Sequence, residues 1–382
     1  MNFSFMTASG IIFSRGAHKN IGEYIKGMGT RALILCGNSL KGKKLDAITV
    51  SLCENGVESF CHFIPSHEPD TNTVDDAVKA FNLNACDMII SIGGGSVIDA
   101  GKAASGIVTN GGFLQDYLEG VGIGKKIVND PVTFVALPTT HGTGAEVTKN
   151  AVISSSTELY KKSIRDDRLL PKKVIIDAEL MTSLPKKQTA HCSMDALTQL
   201  IEAYTSAKAS PITDALCISG IKMVADSIYE AYDNGDDVDA REKMAYASLM
   251  SGICLANAGL GAVHGVAPAL GISCNISHGE SCAVMLDHVM RYNLDYVTKK
   301  YADIGRILNK CDIADDNQAA LSAIEYVSKL KAHMQIPSDL KYLGLTAEDL
   351  PTVVKRCSSN SMNANPVKLS TEDVTALLEN LI

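Results

Sequence analysis

Along the first half of the chain, short apolar runs bounded by turn residues alternate with segments of helical periodicity. Ala32–Cys36, Ser59–Ile64, Met88–Ile92, Phe134–Pro138 and Val174–Asp177 read as strands, while the stretch running to about Asn55 and Val74–Phe81 carry apolar residues at helical spacing. Strands separated by helix-length segments predict a parallel sheet with crossover helices. The rhythm ends near Ser183-Leu184-Pro185. From Gln188 onward, helical periods recur through Ile201–Ala207, Asp214–Asp233, Ala240–Gly259, Asp295–Leu308, Gln318–Met334 and Thr371–Leu381, with hardly any strand-like alternation. The expected organisation is an α/β domain over residues 1–185 and an all-helical domain over residues 186–382.

One stretch calls for a membrane test, because Met244 to Ser277 contains no Lys, Arg, Asp or Glu and is long enough to span a bilayer. Gly, Ala, Ser, Asn257, His264 and Pro268 dilute it, and it lacks an aromatic belt and a basic flank, so a buried helix hairpin and no membrane partner are expected. A net charge of −8 with both signs interspersed leaves no basic stripe to track a phosphate backbone, which argues against nucleic acid. The 11 cysteines are scattered without a CxxC, which favours free thiols and a cytoplasmic location. MNFSFMTASGIIFSRG has no basic region ahead of a continuous apolar stretch, so no signal peptide is expected.

Two segments carry candidate chemistry in the first half. Asp87–Ser105 reads as an apolar strand, the turn Gly93-Gly94-Gly95-Ser96, and a helix from about Val97. Glycines let a backbone approach a pyrophosphate, and the orphan N–H groups at the following helix start stabilise its charge. The spacing is not GxGxxG, and a tight strand-to-helix turn alone would also use glycine. A second segment favours the nucleotide: LPTTHGTGAEVT over Leu137–Thr148 again follows a strand with small and hydroxyl-bearing residues, at the carboxyl edge of the same sheet.

In the second half, Asp195 and Gln199 lie four apart and project from one helical face, while His264 and His278 lie fourteen apart in segments rich in small and apolar residues. One carboxylate and two imidazoles suit a divalent metal with an open position, whereas satisfied core histidines and a surface aspartate would also produce this pattern. His191, one turn before Asp195, is a further ligand candidate.

GGGSVIDAGK and PTTHGTGAEVT together resemble the paired cofactor motifs of the iron-containing alcohol dehydrogenase family, and the likeness runs from IIFSRGA near residue 11 to Asn365-Pro366. The resemblance implies a dinucleotide-binding first domain and a metal- and substrate-binding second one, with NAD or NADP and a divalent metal, iron or zinc, as cofactors. It implies that Gly94, Gly95 and Ser96 contact the pyrophosphate, that Asp99 supports the nicotinamide side, that Thr139, Thr140 and Thr148 flank the riboses, and that Thr143 is a further cofactor-binding residue. Gly37 and Asn38 follow the first strand; many relatives carry at position 37 an acid that repels a 2′-phosphate, so glycine there removes a barrier to NADP. Lys41, Lys43 and Lys44 lie just beyond, where a 2′-phosphate or solvent alone would suit them.

The resemblance further implies that Asp195, His264 and His278 are catalytic metal ligands, while Gln199 stands where the family has a fourth ligand, a histidine. Ser193 replaces a glycine, His141 a small residue, and Pro268 a histidine that in relatives lies beside the nicotinamide. A glutamine offers only a neutral carbonyl oxygen, a weaker ligand for iron or zinc. Asn150, Leu255 and Ser361 match substrate-lining positions between the domains, with His141 a further candidate and the tail SSNSMNAN polar. The expected function is hydride transfer between the nicotinamide and a small polar or anionic primary alcohol or aldehyde such as sulfoacetaldehyde, in a homodimer or higher homo-oligomer. A glycerol-type polyol dehydrogenase, a dehydroquinate-synthase-like lyase (disfavoured by ALTQLIEAY) and a catalytically silent nucleotide-binding or assembly protein are the alternatives.

Overall fold

Met88–Gly93 is buried at every position, so it must be covered on both faces and flanked on both edges. The computed structural model, which describes residues 2–65, 67–155, 158–357 and 359–382, places this strand inside a sheet in the first of two compact units. That unit comprises residues 7–140 and 144–183; residues 1–6, 141–143 and 184–382 form the other.

The strands of the first unit are β1 (Ile11–Phe13), β2 (Arg31–Gly37), β3 (Glu58–Ile64), β4 (Met88–Gly93), β5 (Thr133–Pro138), β6 (Asn150–Ser155), β7 (Tyr160–Arg165) and β8 (Lys173–Ile176). Six of them form one parallel sheet in the order β1-β8-β5-β4-β2-β3. The crossover helices include α2 (Lys43–Glu54), α3 (Thr71–Leu83) and α4 (Gly95–Asn110), with the single turn α1 (Ile21–Tyr24) ahead of them. Alternate strand positions feed two cores: Leu33, Leu35, Ile89 and Phe134 pack with α3 and α4, whereas Ala32, Ile34, Met88, Ile90 and Val135 pack with Ile21, Ile48 and Leu52.

The parallel sheet agrees with the reading of the sequence, and the antiparallel hairpin β6–β7 was not anticipated. Its strands bury only Ala151, Ile153, Tyr160 and Ile164 among serines and lysines, a weak period-2 signal beside the continuous apolar runs of the sheet. The three-residue edge strand β1 escapes notice for the same reason.

The second unit is helical among its described residues: α5 (Lys186–Thr205), α6 (Pro211–Asp233), α7 (Val238–Ala258), α8 (Ala262–Cys274), α9 (His278–Asn309), α10 (Asp316–His333), α11 (Leu350–Arg356), α12 (Ser359–Met362) and α13 (Thr371–Glu379). Every residue from Ser193 to Thr205 is buried, which makes α5 the central helix. The charge-free run divides into α7 and α8, bent by 104° at Gly259–Gly261, and no single helix among the described residues is long and apolar enough to cross a membrane. The helix expected at Asp295–Leu308 extends back to His278, with non-helical backbone at Val297.

Candidate functional site

In the sheet unit, three neighbouring strands deliver the expected nucleotide residues to the same carboxyl edge. β2 ends at Gly37, β4 at Gly93 and β5 at Pro138, with Cys36 opposite Ile92 and Gly93 opposite Pro138. The Thr139 N–H donates to the Gly93 carbonyl at 2.9 Å, which latches the turn after β5 to the turn after β4. Gly94 caps α4 without any side-chain cap; the Val97 N–H already donates to Gly94 O at 3.0 Å, which leaves the N–H groups of Gly95 and Ser96 as the orphan donors of the first turn. A Cβ at Gly94 would stand 3.1 Å from the Thr140 methyl, so glycine keeps the cradle open at the closest approach of the two turns. Gly94, Gly95, Ser96, Thr139 and Thr140 are half-buried and Asn38 is exposed; this bare, donor-rich rim fits a pyrophosphate.

Asp99 and Thr148 are turned inward instead. The Lys102 ammonium, fully buried, donates to Ala145 O at 2.7 Å, Asn150 O at 2.6 Å and Thr148 Oγ1 at 3.0 Å, and pairs with the Asp99 carboxylate at 3.3 Å. The other Asp99 oxygen accepts the Val152 N–H at 3.0 Å. Burial raises the Asp99 carboxyl and lowers the Lys102 ammonium, each partly offset by the other's charge. Sequence reasoning gave Lys102 no role, although it closes the GGGSVIDAGK motif one turn after Asp99. Lys41 lies over the Phe63 ring and Lys44 donates to Glu179 O at 2.7 Å.

In the helical unit, Asp195 on α5, His264 on α8 and His278 opening α9 converge. His264 Nε2 lies 3.2 Å and His278 Nε2 3.8 Å from Asp195 Oδ1. Cys282, one turn along α9, brings Sγ to 3.7 Å from both imidazole nitrogens, and the four donor atoms all lie within 4.8 Å of one another. Three of these residues are buried, while the His278 side chain keeps 26% of its surface exposed, so the cluster opens on that side. A carboxylate, two imidazoles and a thiol in this arrangement fit a divalent iron or zinc ion.

A second layer fixes the ligands. Glu202, seven residues after Asp195 on α5, accepts the Val263 N–H at 2.7 Å through one oxygen and holds His264 Nδ1 at 2.6 Å through the other. With Nδ1–H donated to a carboxylate, Nε2 is the nitrogen left to face the cluster. The Ala262 N–H donates to Asn365 Oδ1 at 3.1 Å, so two side chains from distant segments cap the start of α8 and place His264 in its first turn. A Cβ on Gly261 would come within 2.7 Å of Asn365 Oδ1 and 2.8 Å of Glu202 Oε1, which only glycine avoids. Pro268 lies four residues after His264 and has no N–H to return to the His264 carbonyl. Neither Glu202 nor Asn365 was assigned a role from the sequence; the available signal was Glu202 on the Asp195 face of the helix.

Burial opposes the charge on Asp195, but the hydrogen bond from His264, the nearby His278 and a hydrogen bond from Gln199 outweigh it and hold the carboxyl below its ordinary value. Burial likewise opposes charge on His264, yet Cys282, Glu202 and Asp195 hold it well above the usual histidine range. Burial pushes the Cys282 thiol up to about 12. A dication between these donors relieves the same crowding of negative groups that a proton relieves here.

The remaining candidates are more dispersed. Gln199 receives the Ser251 hydroxyl on its carbonyl oxygen at 2.8 Å. His191 binds Ser277 Oγ, the cap of α9, at 2.8 Å and stays outside the cluster. His141 is fully buried and hydrogen-bonds Ser193 Oγ at 3.1 Å, while its Nδ1 has no partner among the described residues. Burial, then the Arg241 charge, lower it to about 3, so it is neutral. Thr143 belongs with the helical unit, whereas Asn150, half-buried, opens β6 in the sheet unit. Leu255 on α7 and Ser361 on α12 are half-buried; Ser358 of the polar tail lies outside the described residues.

Residues 8–178 match the family model described as iron-containing alcohol dehydrogenase, and residues 189–382 match the Fe-containing alcohol dehydrogenase family, C-terminal. The chain is 33% identical over 388 residues to the NAD-dependent methanol dehydrogenase of Bacillus methanolicus, covering 100% of both chains. It is 34% identical over 381 residues to the 1,3-propanediol dehydrogenase of Citrobacter freundii, covering 98% of this chain and 97% of that one. The structure of sulfoacetaldehyde reductase from Bifidobacterium kashiwanohense in complex with NAD+ matches with a TM-score of 0.91 at 27% identity, covering 100% of this chain and 99% of the other. Matched over both halves and its full length, the chain belongs to the iron-containing alcohol dehydrogenase family and is an oxidoreductase.

Proposed function

We propose that the chain reduces a small polar or anionic aldehyde, or oxidises the corresponding primary alcohol, with a nicotinamide cofactor and a divalent iron or zinc ion. The observation that carries this reading is the convergence of Asp195, His264 and His278, with the Glu202 carboxylate behind His264, in a chain that keeps the bare glycine turn at Gly94–Ser96. When bound, the ion supplies Lewis acidity toward the substrate oxygen and the nicotinamide gives or takes the hydride. Asp195 contributes the negative charge that retains the ion, and Glu202 keeps the His264 ring in one tautomer and one orientation. The open side at His278 leaves room for a substrate oxygen. Gly94, Gly95 and Ser96 cradle the pyrophosphate, with Gly37, Asn38, Thr139 and Thr140 beside them on the same sheet edge and Thr143 a further contact; Lys102 holds Asp99 and Thr148 in place behind them. Gly37 has no carboxylate to exclude a 2′-phosphate, so NADPH is expected to serve as well as NADH. Relatives named for methanol, 1,3-propanediol and sulfoacetaldehyde support a small substrate.

The test is oxidation of NADH and NADPH with acetaldehyde, lactaldehyde and sulfoacetaldehyde, and reduction of NAD+ with 1,3-propanediol and glycerol, before and after chelation, alongside iron and zinc content. Turnover that vanishes on chelation and in Asp195→Ala and His264→Ala is the expected result. Nucleotide binding with neither metal nor turnover would replace the enzyme reading with that of a silent binding protein.

A further inference from the structure

We propose that Cys282 is the fourth protein ligand of the metal in this chain, in place of Gln199, whose carbonyl oxygen is engaged by Ser251. This rests on the metal-assisted reading above and concerns which side chains hold the ion.

The geometry is the first argument. In a tetrahedral site with sulfur at about 2.3 Å and nitrogen or oxygen at about 2.0–2.2 Å from zinc, two ligand atoms lie about 3.3–3.6 Å apart. Cys282 Sγ stands 3.7 Å from His264 Nε2 and 3.7 Å from His278 Nε2, and Asp195 Oδ1 stands 3.2 and 3.8 Å from the same nitrogens. All four separations are within about half an ångström of the edges of one coordination tetrahedron.

The state of Gln199 is the second. A glutamine ligates only through its carbonyl oxygen, because the amide NH2 is a donor. Ser251 Oγ on α7 lies 2.8 Å from that oxygen and 2.8 Å from Ser248 O. Turning the oxygen toward the ion would give up its contact with Ser251. The ligand that the family carries on α5 is therefore supplied here from α9, where His278 and Cys282 lie four residues apart on one face in its first two turns.

Binding breaks the S–H bond of Cys282 and the Nε2–H bond of His264, forms a sulfur–metal and a nitrogen–metal bond, and releases both protons to solvent; no oxidation state changes. With Asp195 and a thiolate, the ligand set balances the charge of a dication and favours zinc or iron(II) over magnesium or manganese.

The experiment strips the purified chain with a chelator, reloads it with Co2+ and records its absorption, then measures Zn2+ affinity by competition with a chromophoric chelator. Wild-type protein is expected to show visible cobalt bands together with a near-ultraviolet sulfur-to-cobalt charge-transfer band. Cys282→Ser loses the charge-transfer band and weakens Zn2+ binding at least about 100-fold, whereas Gln199→Ala weakens it about tenfold and keeps the band. Cys192→Ser, three positions before Asp195, keeps both band and affinity. Gln199→His in the Cys282→Ser background regains affinity without the band. Visible cobalt bands lacking charge transfer in the wild-type chain would overturn the proposal and leave the metal reading intact, and this holds even if Cys282→Ser does not fold. Wild-type protein that binds neither Co2+ nor Zn2+ would overturn both.

Discussion

Replacing Lys102 with methionine keeps the apolar stem that packs inside the sheet unit and deletes the ammonium. Four acceptors converge on that ammonium: two backbone carbonyls at 2.6 and 2.7 Å, the Thr148 hydroxyl at 3.0 Å and the Asp99 carboxylate at 3.3 Å. Thr148 retains an acceptor of its own at Ala145 O, 3.1 Å away, and Asp99 keeps the Val152 N–H. The Asn150 carbonyl and the Asp99 charge lose most. Breaking a buried ion pair by removing one partner costs about 3–5 kcal/mol, because the remaining charge is left uncompensated. That is a large part of a typical folding free energy of about 5–15 kcal/mol. The double variant Asp99→Asn/Lys102→Met removes the stranded charge, so its loss should be smaller than the sum of the single losses by about 1–3 kcal/mol. The chain has no tryptophan, so urea unfolding is best followed by circular dichroism, and NADH binding by the fluorescence of the reduced nicotinamide itself. The single variant should unfold at markedly lower urea and bind NADH more weakly, since Lys102 ties the segment from Ala145 to Asn150 to α4. A Lys102→Met protein within about 1 kcal/mol of wild type, or a strictly additive double variant, would refute the reasoning.

Three further outcomes are expected. Glu202→Gln offers one neutral acceptor to the two donors that Glu202 now satisfies at 2.6 and 2.7 Å, so Zn2+ affinity should fall about 10- to 100-fold by chelator competition; an unchanged affinity would deny Glu202 its positioning role. Gly261→Ala should lower stability by about 1–3 kcal/mol in urea and loosen the metal, because its methyl would meet Asn365 Oδ1 and Glu202 Oε1 inside 3 Å. His141 is held at about 3, below its unfolded value of about 6.5, so between those limits the unfolded chain binds the extra proton and stability should fall as pH falls, by up to about 1.4 kcal/mol per unit. The wild-type curve measured in urea from pH 7 to 4 should drop more steeply than that of His141→Gln, and parallel curves would mean that His141 is accessible to protons in the folded state.

What was legible in the sequence follows from how strongly each feature repeats along the chain. Strands buried on both faces, such as Met88–Gly93, announce themselves as unbroken apolar runs, and α5 and α6 show sustained helical periods. The hairpin β6–β7 buries two side chains per strand and leaves almost no pattern. The three family ligands were legible because motifs surround them. Glu202, Asn365 and Lys102 were not, because each acts on a partner 43 to 103 residues away through a single carboxylate, amide or ammonium, a relation that no local window contains. Cys282 was hidden for a different reason: a cysteine inside an apolar helix is usually a small hydrophobe, and only the placement of His264 beside it distinguishes this one.

Two of the departures from the family pattern touch each other, and this bears on whether the site has decayed. His141 replaces a small residue and Ser193 a glycine, and the two side chains hydrogen-bond each other at 3.1 Å. Gln199 gives up a ligand position on α5, and Cys282 stands among the remaining three donors. Random loss after the activity lapsed would leave buried polar groups stranded at separate points, at a cost of about 1–3 kcal/mol each. Here the Gln199 oxygen is met by Ser251, His264 by Glu202 and Ala262 by Asn365, while His141 Nδ1 alone of these exchanged and supporting groups lacks a partner among the described residues. A protein that needed only its fold would gain by filling the space around Asp195 with apolar side chains, since isolated buried charges are costly and well-packed hydrophobic replacements are commonly as stable. Keeping two imidazoles, a carboxylate and a thiol within 4.8 Å, with a second carboxylate behind them, makes sense when a cation is there to join them, which weighs for a working metal centre with an exchanged ligand over a silent relative.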